Sequence, residues 1–427
     1  MAIAIFDIEI ETFRQKALNW ANQFDDVCYF QSNGFRDEYS NIDAFLAVQA
    51  KYAFEPFQQG KVFEELEIFR AKHPNKWMPG FFSYDLKSET ENVTSRFDNP
   101  LGFPEAYFFI PETTIQFWDE KVEIESDNPH EVFTKILQQS SVINSMQNKS
   151  LLVQSKMSKE DYVNAFNSMQ AHIKRGDIYE VNLCQEFFAH DVEINPLSLY
   201  KKLNHISPTP FSCFFKYGSK FILSASPERF LAKRANQLIS QPIKGTAPRG
   251  KSPQEDDEIK QRLQSNPKEL AENVMIVDLV RNDLTKSAKP GTVRTDKTFE
   301  IHTFNQVHQL ISTITCQLAP EVSAIQTIKN TFPAGSMTGA PKINAMELCE
   351  QYENSKRGIY SGAVGYFDPM NNFDFNVVIR SILYNQQTGY LSFHTGGAIT
   401  LDASCENEYA ECLLKASAIL NVLNASL

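Results

Sequence analysis

Short apolar runs recur along the chain, and turns rich in glycine, proline, asparagine and serine separate them. Strands are predicted at residues 81–85, 107–110, 178–188, 211–217, 220–225, 229–233, 237–241, 359–367, 373–383 and 389–394. The last three follow one another closely, which predicts an antiparallel meander. Residues 298–314 mix the patterns of strand and helix.

Helical periodicity is limited to a few longer segments. Ser158, followed three residues later by Asp161, matches a capping box, and Gly176 is a stop signal, so a helix is predicted to about residue 174. Further helices are predicted within residues 255–282, after Lys342 and over residues 406–423. Because the strands run in series and do not alternate strictly with helices, the pattern predicts an α+β fold.

The length of the chain, 427 residues, exceeds that of a typical single core and predicts two units. The stretch 138–156 is polar and is interpreted as a linker. We therefore predict an N-terminal subdomain over residues 1–150 and a catalytic domain over residues 151–427.

Composition and charge narrow the class of protein. The net charge is −11 and there is no dense Lys/Arg run, which disfavours general nucleic-acid binding. No apolar run approaches the ~18 residues of a membrane span, and the N-terminus lacks a basic signal-peptide region, so a cytoplasmic protein is expected. The seven cysteines are scattered and form no CxxC pair, which predicts reduced thiols and neither disulfides nor a zinc site.

The segment PIKGT (242–246) follows the predicted strand 237–241. Pro242 has no N–H to donate and should end the pairing, and Gly245 lets the backbone turn. Lys244 is thereby expected at a strand end, where functional groups are often mounted. The alternative from this stretch alone is an exposed lysine in a turn.

Two pairs of glutamates have helical spacing. Glu269 and Glu272 lie three residues apart on one predicted helix, and Glu408 and Glu411 do so on another. Each pair therefore faces one side of its helix. Two such helices could hold a hard divalent cation, Mg²⁺ rather than zinc, although solvated glutamates with the same spacing are the alternative.

Five further positions could serve a binding site. Glu228 precedes Lys244 by one strand–turn–strand length, and Arg380 lies in an apolar run, where it needs an anionic partner or an exposed face. Thr338 and the glycines around it, together with Gly397, could present hydroxyl and backbone N–H groups to an anion. His308 lies beside apolar residues, a setting in which histidine is usually structural.

Taken together, these stretches resemble the chorismate-utilising enzymes, which include anthranilate, aminodeoxychorismate, isochorismate and salicylate synthases. Nine segments occur in the family's order, whereas the N-terminal third is similar mainly at residues 81–85. The resemblance implies a large, mainly antiparallel β-sandwich core with helices packed outside. The segments are GDIYEVNLCQ (176–185), SPERF (226–230), PIKGT (242–246), ELAENVMIVDLVRNDL (269–284), FPAGSMTGAPK (332–342), IYSGAVGYFD (359–368), FNVVIRS (375–381), HTGGAIT (394–400) and EYAECLLKA (408–416).

The resemblance also implies roles for the candidate residues. Mg²⁺ would be held by Glu272 and Glu411, supported by Glu269 and Glu408, and would bridge to a substrate carboxylate. Glu228 would be the general acid that protonates the departing C4 hydroxyl. The residues expected to bind chorismate are Tyr360, Arg380, Gly397, Lys415, Thr338 and His308.

Lys244 discriminates between members of the family. Anthranilate synthases resemble this motif but have alanine there, whereas aminodeoxychorismate synthases have lysine, whose amine would attack C2 and expel the C4 hydroxyl before ammonia attacks C4. That lysine must be neutral, so its pKa is expected to fall from about 10.4 toward 7–8. Glu180 is a departure, since the amino-transferring members usually have glutamine there and isochorismate synthases have a lysine base.

The resemblance thus implies component I of an aminodeoxychorismate synthase, which makes 4-amino-4-deoxychorismate for 4-aminobenzoate and folate synthesis. No glutaminase module is visible in the sequence, so ammonia is expected from a separate glutamine amidotransferase subunit. An anthranilate synthase component I is the first alternative, and a non-catalytic subunit with the same fold is the second.

Overall fold

One sheet of twenty strands runs through the molecule, described here from a computed structural model that covers residues 1–142, 151–304 and 307–427. Its strands, with the separate pair β7 and β22, are β1 (Ala2–Asp7), β2 (Asp26–Gln31), β3 (Ala44–Phe54), β4 (Met78–Phe82), β5 (Ala106–Phe117), β6 (Lys121–Ser126), β7 (Leu151–Leu152), β8 (Gln154–Ser155), β9 (Glu180–Ala189), β10 (Phe211–Tyr217), β11 (Lys220–Ser226), β12 (Arg229–Arg234), β13 (Gln237–Gln241), β14 (Ile243–Pro248), β15 (Arg294–Thr303), β16 (Val307–Gln317), β17 (Gly339–Ala340), β18 (Ala363–Phe367), β19 (Phe373–Val377), β20 (Ser381–Asn385), β21 (Tyr390–Ile399) and β22 (Ala425–Ser426).

Eleven α-helices are found in the same ranges. They are α1 (Ile10–Ala21), α2 (Val62–Lys72), α3 (Lys87–Thr90), α4 (Pro129–Leu137), α5 (Lys159–Arg175), α6 (Pro196–Ile206), α7 (Pro253–Gln264), α8 (Pro267–Thr285), α9 (Ala324–Thr331), α10 (Lys342–Tyr352) and α11 (Cys405–Leu423). None of these helices has both the length and the apolar composition needed to cross a membrane.

The two faces of the sheet bury different cores. Along β10, Cys213 and Phe215 belong to a large core between sheet layers, whereas Phe214 faces a second core with helices α1, α6 and α11. This alternation follows from the two-residue period of a strand. A mainly antiparallel sandwich with helices outside it is what the sequence predicted, and the α+β fold class is confirmed.

Local signals predicted several element ends well. Ser158 and Asp161 form the expected capping box at the start of α5, and Gly176 ends the helix at φ +84°. Residues 255–282 belong to two helices, α7 and α8, because Ser265 ends α7 and Asn266 caps the start of α8. The segment 298–314, predicted as mixed, contributes to the paired strands β15 and β16, and the strand predicted at 81–85 ends at Phe82.

The predicted meander is only partly correct. β18 pairs with β19, and β20 pairs with β21, but β19 pairs with β12 and β20 with β11. The chain therefore crosses from one part of the sheet to another between Val377 and Ser381. Arg380 lies in this crossover with φ +50°, in the left-handed region that residues other than glycine seldom adopt.

The predicted boundary near residue 150 falls largely on residues 143–150, which lie outside the described ranges. Strands β1 to β6 belong to the same sheet as the strands after residue 151. The division into two domains stays a prediction.

Candidate active site

Lys244 lies in a bulge and not at the strand end that the sequence predicted. The strand resumes directly after Pro242, and the register of β14 against β16 shifts between Ile243 and Thr246. Gly245 has φ +88°, and a Cβ there would be 3.0 Å from the Glu269 Oε2 atom. The bulge therefore brings Lys244 close to helix α8, and glycine permits both the turn and the close approach.

The amine of Lys244 is bound to the carboxylate of Glu180. Its Nζ donates to Oε1 of Glu180 at 2.5 Å, and the two side chains are 10% and 1% exposed. Burial by itself lowers the pKa of Lys244, but Glu180, Glu272 and Glu228 outweigh it and raise the pKa. The expected fall in pKa is therefore not found in the free protein, because carboxylates surround the amine.

Glu228 precedes β12 and is 5% exposed. Burial raises its pKa to about 7, although nearby Ser336, Lys244 and Arg380 favour the charged form. A carboxyl group with this pKa is partly protonated at neutral pH, which is what a general acid requires. Glu228 and Ser336 line a small cavity of 20 Å³.

Helices α8 and α11 bring acidic residues together, as their spacing predicted. Lys268 lies between them, with its Nζ 3.1 Å from Glu408 Oε1 and 3.8 Å from Glu272 Oε1. Burial raises the pKa of Glu272 to about 7. It also raises the pKa values of Glu269 and Glu408. Holding these carboxylates close together in a buried setting therefore costs free energy. A cation between the helices would lower that cost.

Lys415 joins α11 to β21. Its Nζ is 2.8 Å from Glu411 Oε1 and donates to the Gly396 carbonyl at 2.9 Å. Burial opposes ionisation of Glu411, but the charge of Lys415 outweighs it and lowers the pKa of this half-exposed carboxyl. A Cβ at Gly397 would be 2.9 Å from Glu408 Oε2, so this glycine allows the helix to approach the strand closely.

The fit to Mg²⁺ can be tested on these donors. Within the described residues, no three His, Cys, Asp or Glu side chains form a ready-made metal site. Glu272 nevertheless has a buried oxygen, Oε1, without a hydrogen-bond partner, and the nearby ligands are all carboxylate oxygens. Glutamates from two helices fit a hard cation that a substrate carboxylate and water would complete.

Arg380 lies in the crossover between β19 and β20, and Tyr360 lies shortly before β18. Burial lowers the pKa of Arg380, and the charge of Glu228 acts in the opposite direction. The left-handed backbone of Arg380 is a strained conformation, which is common at functional sites. Tyr360 is 4% exposed, stacks on His394 with ring centres 4.8 Å apart, and has its hydroxyl 3.7 Å from Cys184 Sγ.

Two residues expected to bind substrate have other partners. His308 is buried, with Nε2 2.9 Å from Asp256 Oδ1 and Nδ1 3.0 Å from Thr303 Oγ1. Both ring nitrogens are thus occupied away from the glutamates. Thr338 is also buried, and its hydroxyl donates to the Gly335 carbonyl at 3.1 Å. Motif position alone assigned these two residues, and a role for them in binding chorismate stays a prediction.

Comparison with known sequences identifies the family of this chain. The family described as chorismate binding enzyme matches residues 24–421. The chain belongs to the chorismate binding enzyme family. The resemblance noted in the nine motifs is therefore confirmed, and the match extends into the N-terminal third.

Curated relatives of this family member carry more than one name. Aminodeoxychorismate synthase component 1 of Klebsiella aerogenes is 34% identical over 349 residues, covering 81% of this chain and 77% of the relative. Anthranilate synthase component 1 of Lactococcus lactis is 31% identical, covering 80% and 78%. Longer relatives exist: aminodeoxychorismate synthase of Streptomyces griseus is 40% identical, but the match spans 63% of this chain and 37% of that protein.

The fold of this chorismate binding enzyme is also found in solved structures. Anthranilate synthase component I from Streptococcus pneumoniae superposes with a TM-score of 0.77 at 24% identity, covering 90% of this chain and 95% of that one. At this identity the likeness shows the fold.

A separate cavity of 370 Å³ contains none of the site residues predicted from the sequence. It is lined by Ser32, Arg36, Phe211, Arg229, His302 and Asp374, among others. This cavity is therefore separate from the glutamate and lysine cluster.

The sequence singled out Glu180 only as a departure from its relatives and did not predict its contact with Lys244. Lys268 was not predicted as a site residue either. Lys268 lies one residue before Glu269, so a charge-balance argument on α8 could have found it. The contact of Glu180 with Lys244 depends on the pairing of distant strands, which no local pattern shows.

Proposed function

We propose that this chorismate binding enzyme is component I of an aminodeoxychorismate synthase, with Lys244 as its nucleophile. The supporting observation is the position of Lys244, whose nearly buried amine lies close to Glu228 and Glu272. Relatives with the same name support this choice. The product would be 4-amino-4-deoxychorismate, a precursor for 4-aminobenzoate and folate.

Glu228 would supply the proton for the leaving hydroxyl. The Lys244 amine would attack C2 of chorismate, the ring double bonds would shift, and the C4 hydroxyl would leave as water. Ammonia would then attack C4 and release the lysine. A pKa of about 7 makes Glu228 suitable as the acid at neutral pH.

The substrate carboxylates would be bound by cationic and backbone groups. Arg380 and Lys415, with Tyr360 and the backbone at Gly397, are proposed for this role. Glu272 and Glu411, supported by Glu269 and Glu408, would hold Mg²⁺, which would neutralise a substrate carboxylate when bound. Ammonia is proposed to come from a separate glutamine amidotransferase.

Product analysis tests this function. The purified chain is incubated with chorismate, Mg²⁺ and ammonium, and the products are identified by chromatography and mass spectrometry. We expect 4-amino-4-deoxychorismate, which keeps the pyruvyl group, and no turnover with glutamine alone. Anthranilate with free pyruvate would instead support the alternative that the Lactococcus relative suggests.

A further inference from the structure

We propose that Glu180 accepts the proton of the Lys244 ammonium, which makes the amine a nucleophile. This inference rests on the proposed function, because it assigns a second catalytic residue to the same attack on C2. It explains how a lysine that is charged in the free protein can attack C2. A charged ammonium has no lone pair, and in the free protein Lys244 is surrounded by carboxylates that favour the charged form.

The geometry provides a direct route for this proton. The Nζ of Lys244 already donates to Oε1 of Glu180 at 2.5 Å, so the proton can move along an existing hydrogen bond. Both side chains are nearly buried, and solvent is therefore a poor proton acceptor at this position.

Glu180 is held rigidly for this role. It is the first residue of β9 and lies opposite Ala340 of β17. Its neighbour Tyr179 donates to the Ala340 carbonyl at 2.7 Å. Gly339 packs against this backbone so closely that a Cβ there would be 2.2 Å from the Glu180 carbonyl oxygen. The carboxylate is thus presented to Lys244 from a strand and not from a mobile loop.

Within the described residues, the second oxygen of Glu180, Oε2, is buried and has no hydrogen-bond partner. Leaving a buried polar atom without a partner costs free energy. Other charges act on the same amine, namely Glu272, Glu269 and Glu411 from the two helices and Glu228 near β12. Among them, Glu180 is the group whose hydrogen bond to Nζ the structure records.

Every proton is returned to its starting position over one turnover. The proton moves from Nζ to Oε1, the freed lone pair forms the bond to C2, and the C4–O bond breaks with the proton from Glu228 to give water. Ammonia then bonds to C4, the C2–N bond breaks, and Lys244 leaves as a neutral amine. The new C4 ammonium returns one proton to Glu228, and Glu180 returns its proton to Lys244.

The test measures formation of the Lys244 adduct by rapid quenching and intact-protein mass spectrometry, with chorismate and Mg²⁺ present and ammonia withheld. Glu180→Gln keeps an oxygen for Nζ but cannot take its proton. We expect adduct formation at pH 7 to slow by about 10²-fold, with chorismate affinity unchanged and much of the rate recovered at alkaline pH.

The control is Glu186→Gln, which removes a buried carboxylate from the same strand. Glu186 accepts hydrogen bonds from Tyr390 and Ser392 and has no recorded contact with Lys244. This variant should form the adduct at the wild-type rate. Thermal unfolding of both variants establishes that they are folded.

A second variant separates proton transfer from simple holding of the amine. Glu180→Ala should be slow, and formate should restore adduct formation whereas formamide should not. Equal rescue by both molecules, or wild-type adduct formation by Glu180→Gln at pH 7, would overturn the assignment. Absence of any adduct in the wild-type enzyme would instead refute the proposed function itself.

Discussion

Lys244 and Lys342 are both nearly buried lysines bound to a carboxylate, with side chains 10% and 6% exposed. The amine of Lys342 donates to Asp283 and to the Thr331 carbonyl, both at 2.8 Å. Among the described residues, the Lys244 amine donates to Glu180, and the second oxygen of that carboxylate has no hydrogen-bond partner.

The charges around the two lysines also differ. Burial lowers the pKa of Lys342, with Asp283 acting in the opposite direction. Three carboxylates raise the pKa of Lys244 above its usual value. Burial of a lysine therefore does not by itself indicate function. The amine of Lys342 is paired with Asp283 and the Thr331 carbonyl, which is a structural arrangement. The excess of acidic groups around Lys244 instead stabilises positive charge at that position.

The largest expected effect is on activity at Lys244. Lys244→Ala removes the proposed nucleophile, so ammonia-dependent formation of 4-amino-4-deoxychorismate should fall by more than about 10³-fold, as removal of a nucleophile does. Steady-state assays with chorismate and ammonium measure this loss. Chorismate binding, measured by calorimetry, should remain, and near wild-type turnover would show that Lys244 is a bystander.

The second-largest effect on activity is expected for Glu228→Gln. Loss of the proton donor for the C4 hydroxyl should lower kcat by about 10²–10⁴-fold with little change in chorismate affinity. Kinetic assays over a range of chorismate concentrations separate the two parameters. A higher KM with normal kcat would make Glu228 a binding residue.

Lys342→Ala should affect stability instead of chemistry. It leaves Asp283 buried with only Lys286, 3.1 Å away, as a cationic partner. Breaking a buried pair should lower the free energy of unfolding by about 3 kcal/mol. Urea denaturation measures this change, and the double variant Lys342→Met with Asp283→Asn should recover part of it. An unchanged midpoint would argue that the pair contributes nothing to the fold.

A smaller effect is expected in the pH dependence of stability. The pKa of Glu228 is raised from 4.5 to about 7 in the folded protein, so between these values the folded state holds a proton that the unfolded state has released. Stability from this group therefore falls as pH rises through that window. Relative to Glu228→Gln, the wild type should lose roughly 2 kcal/mol between pH 5 and 8, measured by urea denaturation. A difference that does not vary with pH would contradict the raised pKa.

Removal of metal tests the role of the glutamates that lie near Lys244. Turnover should stop with EDTA and return with Mg²⁺, because the carboxylates of α8 and α11 would then hold the cation. Glu272→Gln should have little activity, and added Mg²⁺ should not restore it. Full turnover by metal-free enzyme would contradict the proposed ligand role.

The parts of the fold that the sequence predicted are those set by nearby residues. The capping box at Ser158 and the glutamate spacing on α8 and α11 are local, and the structure contains both. The bulge at Lys244 and the crossover at Arg380 depend on which strands pair, and those partners lie far along the chain.

Side-chain direction limited the prediction of the site. Lys244 and Glu228 come together as expected, but His308 is turned toward Asp256 by strand register and helix α7. The pairing of Glu180 with Lys244 joins residues 64 positions apart and required the structure. Motif resemblance located the site, and contacts determined which of its residues face one another.

The central claim is that Lys244, and not the more deeply buried Lys342, is the reactive lysine. The most direct test is peptide mass spectrometry after incubation with chorismate and Mg²⁺ in the absence of ammonia, followed by rapid acid quenching. A mass increase on the Lys244 peptide, with none on the Lys342 peptide and none in Glu228→Gln, is the predicted result. An unmodified Lys244 peptide from enzyme that still makes 4-amino-4-deoxychorismate would contradict the account.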